Sequence, residues 1–248
     1  MGTRFVIIAA PRTGSNWLCA RLRAQPDVWC HGEVFHPGKV WIRTPSEYDP
    51  FGDAYQAELR AIRDIDRVEF LNRIFGLSFG RSHAGFKIFE GHGDREAFKL
   101  AKDQSLAKVI LSRNNFLAVY ASRLVALQTR AYSAEQMLRV ERPPVFFSKE
   151  EFSKYRSANA GFYSRILSRL DQTEQPYFGI RYDQVGTVQG IAALLKYLGA
   201  RTDVMPDSTP DVRGSSDILS RFSNPEVAEA YLREHGLMHW AYEGDVSL

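Results

Sequence analysis

The sequence predicts an α/β protein in three layers, a mainly parallel sheet covered by helices on both faces. Short runs of apolar, β-branched or aromatic residues alternate with helical patterns, as in chains built from βαβ units. The runs typical of buried strands are 4–10, 84–89, 107–112 and 177–182. Because the crossover helices of a parallel sheet pack on both of its faces, we expect this sheet to be buried on both sides.

The segments between these strands have the apolar period of amphipathic helices. Leu18 and Leu22 share one face of a helix after the first strand, and Gly199 is a natural stop for a late one. The predicted helices are 16–25, 116–132, 150–170 and 187–199. The order of strands and helices therefore supports a sheet whose neighbouring strands are joined by helices.

Length and composition indicate one domain, 1–248, of ordinary globular type. The chain has 248 residues, of which 44% are hydrophobic and 25% charged, with a formal charge of +3. That charge is too small to indicate a nucleic-acid partner, and scattered arginines suit a small anionic ligand equally well. The stretch 200–217 is rich in Pro, Ser and Asp, which predicts a long loop or a lid.

The two cysteines and the apolar runs point to a cytoplasmic protein without a transmembrane segment. Cys19 and Cys30 form neither a disulfide framework nor a metal-binding motif with histidine. Such sparse use of cysteine is typical of reducing compartments. No apolar stretch approaches the roughly 20 residues that a membrane span needs.

Ligands of parallel α/β sheets bind beyond the carboxyl ends of the strands. In this chain the segments at those positions are PRTGSN, EGH, RNN and DQV. We therefore expect the functional residues to lie in or near these four segments.

The segment PRTGSN joins the first strand to a helix and is a candidate anion-binding loop. Free N–H groups and the dipole at a helix N-terminus attract an anion, and Gly14 permits close approach of the backbone. Arg12, Thr13 and Ser15 add a fixed charge and two hydroxyl donors. No lysine follows Gly14, so the Walker pattern of nucleoside triphosphate sites is not met. A turn that merely shapes the chain is the alternative interpretation.

A second strand–loop–helix segment, SRNNFLAVYASRLVALQTR, has the same architecture. Arg113 follows the strand, and Ser122 lies nine positions later, inside the helix. An arginine at a strand end can also meet only solvent or a carboxylate. Two such loops in one sheet nevertheless suggest a ligand that carries phosphates at two ends.

Together the two loops resemble the signatures of sulfotransferases that use 3′-phosphoadenosine 5′-phosphosulfate (PAPS). The similarity is greatest to the bacterial carbohydrate group that contains trehalose and nodulation-factor sulfotransferases. HGEVFHP, GFKI and QTRAY follow in the same order and at similar spacing, so the resemblance covers most of the chain. It implies a P-loop NTPase-like fold, PAPS as donor, no metal, and a small carbohydrate-type acceptor.

The resemblance also implies roles for individual residues in holding PAPS. The residues expected around the 5′-phosphosulfate are Arg12, Thr13, Gly14, Ser15 and Asn16. Arg113 and Ser122 would hold the 3′-phosphate, with Arg213 of VRGSS as a further ligand. The better-known cytosolic sulfotransferases have lysine in the first loop and an Arg-Lys-Gly segment late in the chain, and this sequence has neither.

Glu33 and Lys87 are the predicted catalytic residues. In the carbohydrate group a glutamate at the place of Glu33 acts as the base, and His31 or His36 is the alternative. Lys87 lies within an otherwise apolar strand, where a charge needs a partner. It either donates to the sulfuryl group or protects a sheet edge.

The acceptor is predicted to be a hydroxyl of a carbohydrate or a glycolipid-like molecule. The residues expected to contact it are Glu33, His36, Gln128 and Arg130. A P-loop kinase of a small metabolite and a nucleotide-binding protein without turnover are the alternative functions. The oligomeric state stays open, with a homodimer as one alternative.

Overall fold

The computed structural model describes residues 2–45, 52–92, 96–132, 136, 139–203 and 216–243. In this part of the chain, one five-stranded sheet has the order β2-β3-β1-β4-β5, with every neighbouring pair parallel. The strands are β1 Arg4–Ala9, β2 Val28–Glu33, β3 His83–Phe89, β4 Ala107–Ser112 and β5 Tyr177–Arg181. The chain therefore crosses over between every pair of strands, as the alternating pattern predicted.

Helices fill the connections between the strands. Those before β4 are α1 Ser15–Arg23, α2 Asp53–Ile65, α3 Arg67–Gly76 and α4 Glu96–Lys102. Those after it are α5 Phe116–Thr129, α6 Lys149–Gln172, α7 Tyr182–Val185, α8 Val188–Leu198 and α9 Pro225–Glu234. Short 3-10 helices span Leu219–Arg221 and Met238–Trp240. No helix in the described ranges has the length and apolarity that a membrane crossing needs.

Two apolar clusters, one on each face of the sheet, make up the three layers. On one face Val6 and Ile8 belong to a cluster with residues of α2, α3, α4 and α6. On the other, Phe5 and Ile7 belong to a cluster with residues of α1 and α8. Complete burial of an aliphatic or aromatic side chain stabilises a fold by about 1.5–3 kcal/mol, so both faces contribute strongly. The predicted three-layer architecture is confirmed.

The strand β2 was not predicted, because its sequence VWCHGE interrupts the apolar run with a histidine and a glycine. Among the described residues β3 is its only strand neighbour, so it forms an edge of the sheet, yet residues 28–32 are buried. His31 is completely buried and accepts a hydrogen bond from the backbone N–H of Arg43 at 3.2 Å. The segment around Glu33 is therefore a strand end rather than a surface loop.

The C-terminal part of the chain packs against α5 and the start of α6 in a third apolar cluster. The side-chain amide of Asn115 donates to the carbonyl oxygens of Trp240 at 3.0 Å and Tyr242 at 3.2 Å. Asn115 also caps α5 by accepting from the N–H of Ala118 at 3.0 Å. This arrangement brings the last described residues next to the second predicted anion loop. Most of the predicted loop or lid at 200–217, residues 204–215, lies outside the described residues.

Candidate active site

The first loop has the backbone conformation of a tight turn. Arg12 has φ of 67° and Gly14 has φ of 89°, both in the left-handed region. A Cβ on Gly14 would lie 2.5 Å from Cδ2 of Tyr182, so the position requires glycine for conformation and for space. The Thr13 hydroxyl donates to the carbonyl of Ala10 at 2.7 Å, and α1 begins at Ser15. The loop is therefore held in shape from within.

Tyr163 of α6 ties this loop to the neighbouring strand. Its hydroxyl accepts from the N–H of Ala10 at 2.9 Å and donates to the carbonyl of Leu111 at 2.7 Å. Burial raises the pKa of Tyr163 to about 12, so the hydroxyl keeps its proton at neutral pH. The apolar stripe of the helix gave no indication of this role.

Lys87 lies beneath the first loop with its ammonium group facing the start of α1. Its Nζ is 2.5 Å from Oδ1 of Asn16 and 3.4 Å from Oγ of Ser15. The residue is 2% exposed, and β3 pairs with β2 on one side and β1 on the other. The alternative of an edge-protecting lysine is therefore wrong, and the buried charge has partners in the anion loop.

Glu33 ends β2 directly opposite Lys87. The register of β2 and β3 shifts between Cys30 and Glu33, and Glu33 is then paired with Lys87. Oε1 of Glu33 is 3.0 Å from the Lys87 ammonium, while 22% of the Glu33 side chain stays exposed. The carboxylate thus has a fixed cationic partner and access to solvent.

The three histidines of this region have different surroundings. His31 packs its ring edge-on against Trp29 and Phe79, and burial lowers its pKa to about 4. Because its side chain is inaccessible, it is a poor candidate for a base. The rings of His36 and His92 lie edge to face, with centroids 5.3 Å apart.

His92 is the residue at this site that the sequence analysis did not single out. It follows β3 in the EGH segment, and its Nε2 is 3.6 Å from Oε2 of Glu33. One ligand atom from each of Glu33, His36 and His92 can be chosen so that all lie within 4.8 Å of one another. Glutamate and histidine side chains can bind zinc. The ammonium of Lys87 already contacts the Glu33 carboxylate, however, and its positive charge disfavours a cation there.

Arg113 contacts the first loop directly. Its Nη1 donates to the carbonyl oxygen of Arg12 at 3.2 Å, and its guanidinium carbon is 3.9 Å from the ring centroid of Tyr182. Since Tyr182 also closes over Gly14, the two predicted anion loops are in contact. Nε of Arg113 donates to Oε1 of Glu243 at 2.7 Å, and Nη2 donates to Oε2 of the same carboxylate.

The side chain of Arg12 extends toward the second loop. Its Nε donates to the hydroxyl of Ser122 at 3.0 Å, and Nη1 donates to the carbonyl of Tyr132 at 2.9 Å. Burial, and then the charges of Arg113 and Arg142, lower the pKa of Arg12. Lys87 therefore places a charge beside Ser15 and Asn16, while the Arg12 side chain contacts Ser122.

A further arginine approaches the second loop from the C-terminal part of the chain. Burial, and then the charge of Arg113, lower the pKa of Arg221, which ends a 3-10 helix. The arginine cluster comprises Arg12, Arg113, Arg142 and Arg221. These guanidinium groups act on one another electrostatically, and such groups can bind an anion together. Arg221 was not predicted, since its segment has no loop motif.

The remaining predicted contacts are spread more widely. Gln128 and Arg130 are exposed at the C-terminal end of α5. The chain after them returns to the site, because the carbonyl of Tyr132 accepts from Arg12. Arg213 lies outside the described residues.

Two chemical functions lie together at the carboxyl ends of the strands. Glu33 can accept a proton beside a cation that can neutralise developing negative charge. The first loop supplies N–H donors and the arginine cluster supplies guanidinium donors, both of which suit anionic groups. Group transfer from an anionic donor needs these elements.

Comparisons with known proteins agree with this architecture. No family model matches the chain. Nodulation protein H of Rhizobium tropici is 27% identical over 199 residues, which cover 79% of this chain and 75% of that protein. The crystal structure of a sulfotransferase from Alicyclobacillus acidocaldarius matches with a TM-score of 0.50 and 18% identity, over 96% of this chain and 95% of the other.

The structural match concerns the fold, and the sequence match extends over most of the chain. The chain has the α/β architecture of the matched sulfotransferase, which is the P-loop NTPase-like fold. The resemblance to sulfotransferases inferred from the two loop motifs is thus confirmed.

Proposed function

We propose that the protein is a PAPS-dependent sulfotransferase that acts on a hydroxyl of a carbohydrate or glycolipid-like acceptor, in line and without a metal. The single observation that carries the proposal is the placement of the Glu33–Lys87 pair. A proton acceptor and a buried ammonium lie 3.0 Å apart, and the ammonium also contacts Ser15 and Asn16 of the anion loop. The solved structure that shares this fold is that of a sulfotransferase, and Nodulation protein H is similar over most of the chain.

Glu33 and Lys87 each assist one part of the transfer. When bound, PAPS supplies the sulfuryl group and leaves as adenosine 3′,5′-bisphosphate. Glu33 takes the proton of the acceptor hydroxyl, whose oxygen bonds to sulfur. Lys87 neutralises the negative charge that grows on the phosphate oxygen as its bond to sulfur breaks. A carboxylate is a weak base toward an alcohol, so proton removal accompanies cleavage of the sulfur–oxygen bond.

The arginine cluster would hold the 3′-phosphate of the nucleotide. Arg113 and Ser122 are the ligands that the resemblance implies, and Arg12 joins them through its contact with Ser122. Arg221 is a candidate for the basic residue that the C-terminal part of the chain contributes. The first loop, from Thr13 to Asn16, would then hold the 5′ end beside Lys87.

A sugar-like acceptor is favoured by the surroundings of the Glu33 carboxylate. Trp41 is 41% exposed, and its ring centroid is 6.4 Å from that of His36. The N–H of Gly32 donates to the carbonyl of Trp41 at 2.9 Å, which holds the aromatic residue beside the strand that carries Glu33. The Lys39 ammonium lies over the Trp41 ring, 5.0 Å from its centroid, and a partly exposed aromatic ring among such polar groups suits a ligand ring with one apolar side and several hydroxyls.

The test combines ligand stabilisation with transfer of a label. Adenosine 3′,5′-bisphosphate is expected to raise the melting temperature, ATP with magnesium is expected not to, and label should pass from PAPS to a member of a sugar panel. Stabilisation by ATP with magnesium alone would favour the kinase alternative. Stabilisation by the bisphosphate with no transfer to any acceptor would favour a binding protein without turnover.

A further inference from the structure

His92 occupies a defined place beside the candidate base. Gly91, with φ of 87°, turns the chain after β3, and the N–H of His92 donates to the carbonyl of Phe89 at 3.2 Å. Its ring lies 5.2 Å from the ring of Phe89, between centroids, and 12% of the side chain is exposed. The imidazole is thereby held beside Glu33 and stays partly exposed.

The charged and titratable groups facing His92 are Glu33, His36 and Lys87. Burial lowers the pKa of His92 to about 4, even though Glu33 acts to raise it. The ring is therefore neutral at pH 7, with one donor nitrogen and one acceptor nitrogen. Within the described residues Nδ1 is buried without a hydrogen-bond partner, whereas Nε2 faces Oε2 of Glu33.

We propose that His92 is a positioning residue that donates from Nε2 to the second carboxylate oxygen of Glu33, a role that rests on the proposed function. Lys87 contacts Oε1, so a donor at Oε2 fixes the plane of the carboxylate. The opposite tautomer would point a lone pair at a negative charge. At 3.6 Å the contact is longer than a hydrogen bond, as is common at catalytic sites without ligands, where such contacts shorten on binding.

Substitution of His92 by Asn or by Gln distinguishes a hydrogen-bonding role from simple packing. The amide nitrogen of Gln can take the place of Nε2, while that of Asn reaches only the place of Nδ1. His92→Asn is expected to lower kcat roughly 10- to 100-fold, the loss of one hydrogen bond to a charged group, and His92→Gln should restore most of it. KM for PAPS and stabilisation by adenosine 3′,5′-bisphosphate should stay unchanged in both variants.

A measurement that does not depend on turnover tests the role of His92 separately from the proposed function. Nitrogen-15 spectra of the ligand-free protein should show His92 as the tautomer protonated at Nε2. The Nδ1-protonated tautomer, or equal kcat for the Asn and Gln variants, would overturn the positioning role. Absence of transfer by the wild-type protein would instead contradict the proposed function and leave the spectrum to decide the tautomer.

A second inference comes from a separate contact, between Arg113 and Glu243. Every nitrogen of the Arg113 guanidinium has a protein partner: Nε and Nη2 donate to the Glu243 carboxylate, and Nη1 donates to the carbonyl of Arg12. The face of the group lies over Tyr182. The edge that normally binds a phosphate in a bidentate manner is thus occupied by a carboxylate.

The backbone around Glu243 is anchored, so a ligand at Arg113 would have to displace only the Glu243 side chain. Its N–H donates to the carbonyl of Ser216 at 2.9 Å, and Asn115 holds the residues just before it. A phosphate and a carboxylate on one guanidinium edge repel each other. We infer that Glu243 competes with the 3′-phosphate of the nucleotide for Arg113, as an autoinhibitory contact at the C-terminal end of the described chain.

Removing the charge of Glu243 tests the competition. Glu243→Gln is expected to lower Kd for adenosine 3′,5′-bisphosphate about 3- to 10-fold and to leave Kd for adenosine 5′-phosphate unchanged. Glu229→Gln, the same charge change at an exposed helical pair with Arg233, should alter neither constant. Arg113→Ala should weaken bisphosphate binding and remove the difference between Glu and Gln at position 243.

Two results would overturn the competition. Unchanged or weaker bisphosphate binding in Glu243→Gln would show that the carboxylate does not oppose the ligand, and an equal gain in adenosine 5′-phosphate binding would remove the link to the 3′-phosphate. Melting temperatures without ligand report whether each variant is folded. Sulfuryl transfer is assayed separately with PAPS, so failure of the proposed function is recognised there.

Discussion

Glu33→Gln is expected to reduce sulfuryl transfer severely while the protein stays folded and continues to bind nucleotide. The amide keeps the size of the side chain but accepts no proton at neutral pH, and general base catalysis contributes typically about 10²- to 10⁴-fold. The measurement is the rate of label transfer from PAPS under saturating conditions. We expect a loss of about that size in kcat, with KM for PAPS little changed.

A control for Glu33→Gln is the same substitution at Glu58. Glu58 lies half-exposed on α2, where it pairs with Arg73, and Glu58→Gln should leave kcat as in the wild type. Stabilisation by adenosine 3′,5′-bisphosphate should persist in both variants. A Glu33→Gln protein with wild-type kcat would remove Glu33 from its role as base and direct attention to His36.

Lys87→Met is expected to lower kcat by about 10²- to 10³-fold, the effect typical of removing one donor to a developing negative charge. Methionine fills a similar volume but carries no charge, so the leaving phosphate oxygen and the Glu33 carboxylate both lose their cationic partner. The ratio of kcat to KM is measured with PAPS and the best acceptor. Binding of adenosine 3′,5′-bisphosphate should weaken far less than turnover.

Lys108 offers a matched control for Lys87. It is also a buried lysine in a strand, 1% exposed, but it lies near the amino end of β4, where its ammonium donates to the carbonyl of Asp103 at 2.5 Å and contacts Gln175. Lys108→Met should lower the free energy of unfolding and spare kcat of the folded protein. If both variants lost turnover equally, Lys87 would have a structural role only.

Much of the fold could be read from local patterns. Four strands and the main helices follow from apolar period, since burial on both sides of a parallel sheet demands continuous apolar runs. The strand β2 was not predicted because His31 is neutral and packs against Trp29 of the same strand and against Phe79, a residue distant in the chain. A polar residue type within a strand says little about burial until its partners are known.

The candidate site likewise has parts that local sequence predicts and parts that depend on tertiary contacts. The loop from Arg12 to Asn16 was identified because a strand, a turn with glycine and a helix are contiguous in the chain. The direction of the Arg12 side chain could not be predicted, since it depends on Ser122, 110 positions later. His92 lay in a segment that had been noted, but its contact with Glu33 requires the register of β2 and β3.

The sequence by itself determined the class of fold, the two loops proposed to bind anions and the residue types available for proton transfer. These properties depend on neighbours along the chain, where period and spacing suffice. Only the tertiary structure decided that Lys87 faces Asn16, that Tyr163 joins the end of β1 to β4, and that Glu243 binds Arg113, whose charge also lowers the pKa of Arg221. The physical reason is that the packing of parallel strands and their helices, rather than separation in the chain, sets which side chains approach one another.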